Sequence, residues 1–97
     1  ADVVHAQHLC DCRAGDEVSI YGTVSSVTLR PQEGVPAFEA ELYDGSGRVR
    51  LVWLGRQSVP GISAGRSLAV SGRLTSPVGQ GLTLFNPRYT LSPRSQE

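Results

Sequence analysis

Apolar residues recur at every second position in several stretches of this chain, the period of strands with one buried face. In residues 15–29, Val18, Ile20 and Val24 point one way, and the alternation slips at Ser25 and Ser26. A bulge there would return Val27 and Leu29 to the inside. Residues 37–43 alternate again, with Phe38, Ala40 and Leu42 inward and Glu39, Glu41 and Tyr43 outward. Asp44, Gly45, Ser46 and Gly47 form a tight turn. Residues 48–54 continue the hairpin with Val49, Leu51 and Trp53 inside and Arg48, Arg50 and Val52 outside. Pairing Tyr43 with Arg48 sets Leu42 opposite Val49, Ala40 opposite Leu51 and Phe38 opposite Trp53, so every inward pair is apolar. The same register puts Glu41 across from Arg50.

Residues 30–36, 55–64 and 76–81 are rich in Pro and Gly and read as connections. A fourth strand runs from about Arg66 to Thr75, and a short last strand over residues 82–85 ends at Asn86 and Pro87, with Leu91 as a further packing residue. The first and fourth strands share a template, AGDEVSIYGTVSS from Ala14 and AGRSLAVSGRLTS from Ala64, each with an interior glycine, Gly22 and Gly72. Such a glycine marks a bend where two backbones cross closely, and small barrels need bends to close. The expected architecture is all-β, a five-stranded Greek-key barrel of the OB type. The competing SH3-like barrel has shorter strands and lacks the long connector between strands three and four. The chain divides into a lead-in (1–14), the barrel (15–91) and a C-terminal tail (92–97).

Ninety-seven residues with 39% hydrophobic content support one small core. No apolar run reaches membrane-spanning length, and the first residues lack an export signal's basic and apolar regions. Cys10 and Cys12 lie too close for a useful disulfide. A reducing, cytoplasmic compartment is therefore expected. The net charge of +0 conceals a split: residues 1–44 carry −6 and residues 45–96 carry +7. The second half seeks anions.

The segments AELYDGSGRVRLVWLGRQSVPGI, AGRSLAVSGRL and NPRYTL resemble small bacterial OB-fold nucleic-acid-binding domain proteins, over roughly Val18 to Leu91. They are similar, more distantly, to OB domains of anticodon-binding and helicase-wedge type. The resemblance implies a single strand of DNA or RNA lying across strands two and three, edged by the first and last loops. It implicates Tyr43, Arg48 and Arg50 on the sheet, Arg30 and Gln32 in one loop, and Gln80 in the other. Glu39 and Glu41 on that face depart from a strong binder, with Glu41 expected to neutralise Arg50.

Single strands are held by aromatic platforms and a cationic track. Tyr43 and Tyr21, both outward, are the candidate platforms; their alternative role is simply to cover a strand surface. Arg56, Arg66, Arg73 and Arg88 have no acid near them in sequence and suit phosphate contacts, or else serve solubility. Trp53, Phe85 and Tyr89 are assigned to the core. His5, His8, Cys10 and Cys12 offer four metal-ligand types within eight residues, but structural zinc sites draw ligand pairs from separated elements. No metal and no cofactor are expected. No catalytic constellation appears, so the chain reads as non-enzymatic. A protein-interaction module, docking a larger assembly or a second copy through opposite charges, is the alternative.

Overall fold

The computed structural model describes residues 8–31 and 33–93. A 3-10 turn, Leu9–Asp11, precedes six strands: β1 Glu17–Leu29, β2 Ala37–Tyr43, β3 Arg48–Leu54, β4 Ser67–Thr75, β5 Thr83–Phe85 and β6 Arg88–Leu91. Their order is β1-β2-β3-β5-β4-β6, and an additional β1–β4 pairing closes β1, β2, β3, β5 and β4 into a ring. This is an OB-like barrel. Closure with β3 and β5 parallel removes most of the open edge a flat sheet would leave.

The two template strands pair with each other. Gly22 faces Leu68 and Val18 faces Gly72 in an antiparallel register from Glu17↔Arg73 to Thr23↔Ser67. The two glycines are not equivalent. A Cβ on Gly22 would lie 2.5 Å from the Tyr43 carbonyl oxygen and 3.2 Å from Asp44 Cα, whereas one on Gly72 would meet Leu84 Cδ2 at an ordinary 3.5 Å. Only Gly22 marks a crossing of backbones.

The β2–β3 register is the one the alternation predicts, from Ala37↔Leu54 to Tyr43↔Arg48. Val18, Ile20, Val24, Leu42, Leu51, Leu68, Val70, Leu74 and Leu84 fill the barrel. Leu9, Val59 and Ile62, from irregular segments, close it. Trp53 joins this core, its ring 6.2 Å from Phe38 and 5.8 Å from Tyr89, and its Nε1–H donates to the Pro87 carbonyl at 3.2 Å.

Three expectations change. The chain does not end its strands at Asn86-Pro87: Asn86, at φ 51°, donates its amide to the Val52 carbonyl at 2.6 Å and accepts from the Leu54 amide at 3.0 Å. The strand is bent there, and restarts as β6 along β4. The bulge near Ser25 is present and returns Val27 opposite Ala40 and Leu29 opposite Phe38. Yet Val27 and Leu29 stay 38% and 53% exposed, because β4 stops opposite Thr23 and nothing roofs the end of β1. Val52, expected outside, is fully buried between Glu39 and Phe85 in the sheet.

The lead-in is fastened to the β2–β3 turn. Asp44 accepts amides from Leu9 (2.7 Å), Ser46 (2.7 Å) and Gly47 (2.8 Å). Burial works to raise the Asp44 carboxyl pKa, but these bonds outweigh it and hold the carboxyl below its ordinary value. A depressed folded pKa gives stability that is full above the unfolded value and lost as pH falls through the folded one. Asp44→Ala is therefore expected to lower the unfolding free energy at neutral pH, read by urea denaturation, by about 1–3 kcal/mol for the orphaned amides. The difference from the parent should shrink as both are titrated below about pH 4. Among the described residues no helix is long and apolar enough to cross a membrane.

Candidate nucleic-acid interface

Alternation places Glu39, Glu41 and Tyr43 of β2 on the outer face of the hairpin. The β2–β3 and β3–β5 registers then build three rows on that face: Tyr43 with Arg48; Glu41, Arg50 and Thr83; Glu39, Val52 and Phe85. Successive rows stand about 6.7 Å apart, two residues of strand rise.

In the first row Tyr43 is 47% exposed and the Arg48 guanidinium carbon sits 5.8 Å from its ring centroid. That is cation–π geometry. The Tyr43 hydroxyl donates to the Gly45 carbonyl at 3.3 Å, which orients the ring. Tyr43 and Arg48 thus stand side by side on the register that the alternation predicts.

The second row differs from expectation. Arg50 lies opposite Glu41, but its Nη1 pairs with Glu39 Oε1 at 3.3 Å, on the diagonal, and its Nη2 donates to Gln80 Oε1 at 2.5 Å. Glu41 instead accepts from the Ser25 hydroxyl at 3.2 Å. Glu39 is the buried carboxylate of the two, and there a guanidinium partner offsets a desolvation cost that the half-exposed Glu41 does not carry. Arg50 Nε is buried with no partner among the described residues.

Arg30 and Arg50 together line two adjoining depressions, one with Ser26, Thr28, Glu39 and Glu41 and one with Gly79 and Gln80 of the β4–β5 loop, which make up an open groove. The structure thus brings Arg30, Arg50 and Gln80 together from three segments distant in sequence. Gln32 and His5 lie outside the described residues.

The other candidates lie elsewhere. Tyr21 is 48% exposed on the β1–β4 surface, opposite Ala69, and its oxygen accepts from Ser92 Oγ at 2.9 Å. Arg73 meets an acid after all: Glu17 faces it across the β1–β4 ladder at 3.3 Å, and the Gly15 carbonyl accepts from its Nη1 at 2.6 Å. Arg88, exposed on β6, edges a shallow depression with Ser19, Ser71 and Thr90. Arg56 is exposed in the β3–β4 connection. Arg66 is half-buried and donates to the Ser92 carbonyl at 3.1 Å. The Arg50–Glu39 and Arg73–Glu17 ion pairs each join an acid of the first half of the chain to an arginine of the second, so the charge split along the sequence is partly cancelled within the barrel.

Phe85 lies outside the core. Assigned to the core, it is 39% exposed and stands beside Val52 on the outer face, two rows from Tyr43. Its signal was the alternation itself, since Leu84 inward requires Phe85 outward. Tyr89 does pack against the core and donates its hydroxyl to the Pro60 carbonyl at 2.9 Å.

In the lead-in, Cys12 donates its thiol to the His8 carbonyl at 3.3 Å, and His8 and Cys10 are exposed. Burial first, then Asp16, Asp11 and Asp44, raises the Cys12 pKa and keeps the thiol protonated. No group of three metal-ligating side chains occurs among the described residues.

No protein-family model and no curated protein matches the chain. Among solved structures it is similar to RecG bound to a three-way DNA junction, at a TM-score of 0.71 and 24% identity, over 91% of this chain and 12% of that one. It is also similar to the HINb domain of p204, at a TM-score of 0.70 and 19% identity, over 90% of this chain and 47% of that one. The chain spans less than half the length of either. The likeness is one of fold.

Proposed function

We propose that this chain is a non-enzymatic OB-like barrel that binds single-stranded DNA or RNA weakly, across the outer face of β2, β3 and β5. The observation that carries this reading is one face holding a cation–π pair, Tyr43 with Arg48, and a groove lined by Arg30 and Arg50. Bases would stack on Tyr43 and Phe85, and phosphates would meet Arg30, Arg48 and Arg50. The RecG structure, which holds a DNA junction, supports nucleic acid as the ligand class. Glu39 and Glu41 on the same face temper the affinity. Tyr21, Arg56, Arg73 and Arg88 stand outside this face and contribute at most long-range attraction. In this reading the protein is bacterial and cytoplasmic, uses no cofactor or metal, and serves a larger assembly.

The test is fluorescence anisotropy with labelled oligo-dT and its RNA counterpart at two salt concentrations. Three to five phosphate contacts give a log–log salt slope of roughly −2 to −3.5. Tyr43→Ala with Arg48→Ala is expected to weaken binding by about 1–3 kcal/mol for the lost stacking, with a further loss from the phosphate contact. Absence of measurable binding at low salt would overturn the reading. Oligonucleotide ignored while the chain captures a protein partner, in a salt-sensitive way, would replace it with the interaction-module alternative.

A further inference from the structure

We infer that the free edge of β1, residues 25–29, pairs with the same edge of a second copy of this chain, antiparallel and centred on Thr28. On the side away from β2, β1 is covered by β4 only as far as Thr23, and Val24 closes that ladder with Arg66 and Gly65. Beyond it no described strand pairs on that side. The Arg30 amide donates to the Ala37 carbonyl of β2, so by the two-residue period Arg30, Thr28 and Ser26 direct their backbone groups at β2. Val27 and Leu29 direct theirs outward.

Natural edges are protected by lysines, prolines or inward charges. Residues 23–29 carry no charge and no proline, and residues 25–29 are all exposed. The segment is also complementary to itself. Centred on Thr28, the register sets Val27 opposite the second copy's Leu29 and Leu29 opposite its Val27, each a hydrogen-bonded pair. Both outward amides and both outward carbonyls of each edge are then used. Thr28 faces its own counterpart as a close, non-hydrogen-bonded pair, favourable for two threonines. Arg30 falls opposite Ser26, which leaves the two Arg30 residues about 13 Å apart along the strands, beyond the screening length of roughly 8 Å at physiological salt. A twofold contact of this kind is closed and stops at two copies.

Ser26, Thr28 and Arg30 also line the groove, so pairing would set two grooves side by side as one longer track. That consequence rests on the nucleic-acid reading; the pairing itself does not.

The experiment is sedimentation equilibrium of the full chain without oligonucleotide over a wide concentration range. A monomer–dimer equilibrium is expected. Val27→Pro removes an amide that β2 does not use, so it should weaken the dimer at least roughly tenfold while leaving the urea midpoint near that of the parent. The register is read separately by cross-linking, in a Cys10→Ser, Cys12→Ser background. Thr28→Cys should oxidise to a disulfide-linked dimer, since close antiparallel pairs lie within disulfide reach, and Ser26→Cys should not. A chain monomeric throughout, a dimer indifferent to Val27→Pro, or equal cross-linking at both positions would overturn the inference. Loss of oligonucleotide binding with the dimer intact would instead count against the proposed function alone.

Discussion

Gly22→Ala is expected to destabilise the barrel by about 1–3 kcal/mol, while the same change at its template partner, Gly72→Ala, is neutral or slightly stabilising. The contrast follows from what the new methyl would touch. At Gly22 it meets backbone, the Tyr43 carbonyl at 2.5 Å and Asp44 Cα at 3.2 Å, and backbone cannot turn aside as a side-chain tip can. At Gly72 it rests at 3.5 Å on Leu84, and removing a flexible glycine from a strand recovers roughly 0.5–1 kcal/mol of entropy. Each kcal/mol moves the melting temperature of a domain this size by roughly 4–8 °C, so thermal unfolding by circular dichroism separates the two. Because the displaced atoms belong to Tyr43 and its neighbour, Gly22→Ala should also weaken oligonucleotide binding below its melting point. Equal stability losses at both glycines would refute the asymmetry.

Trp53→Ala is expected to cost more, about 3–5 kcal/mol, against a total stability of roughly 5–15 kcal/mol for a small domain. It removes the ring between Phe38 and Tyr89 and leaves the Pro87 carbonyl without its buried donor. Pro87 begins the turn into β6, so the loss spreads to that strand. Trp53→Phe keeps most of the volume and forfeits the hydrogen bond, for about 1–2 kcal/mol. Oligonucleotide affinity should be the same in folded Trp53→Phe as in the parent, because Trp53 faces inward. A reduced affinity without a reduced melting temperature would return Trp53 to the interface.

The register of the hairpin was legible, because strict alternation on both sides of a DGSG turn leaves one register that pairs apolar with apolar; the burial of Val52 and Glu39 on its outer face was not. The two template strands do pair with each other, but their matched glycines are not equivalent, since only Gly22 lies against another backbone. β6 was not legible: Asn86 and Pro87 read as a terminator, whereas Asn86 turns the backbone and clamps to β3 before the chain resumes. In the interface, Tyr43 and Arg48 follow from period two, but the choice of Glu39 over Glu41 by Arg50 depends on diagonal reach and burial, which periodicity does not encode. A barrel must plug its end with something apolar, and the 39% exposed Phe85 does not do it. Leu9, Val59 and Ile62 do that from irregular segments, where no period announces them.

Ring closure has a temporal side. β1 finds one of its two partners only when β4 arrives, about fifty positions later, and β3 waits for β5. Topologies dominated by such distant pairings fold slowly, in milliseconds to seconds, since the intervening chain must be gathered first. During synthesis at about 5–20 residues per second, the early hairpin would spend seconds outside the ribosome with its apolar face uncovered. Chaperone capture and protease attack are therefore most acute before β4 and β5 emerge.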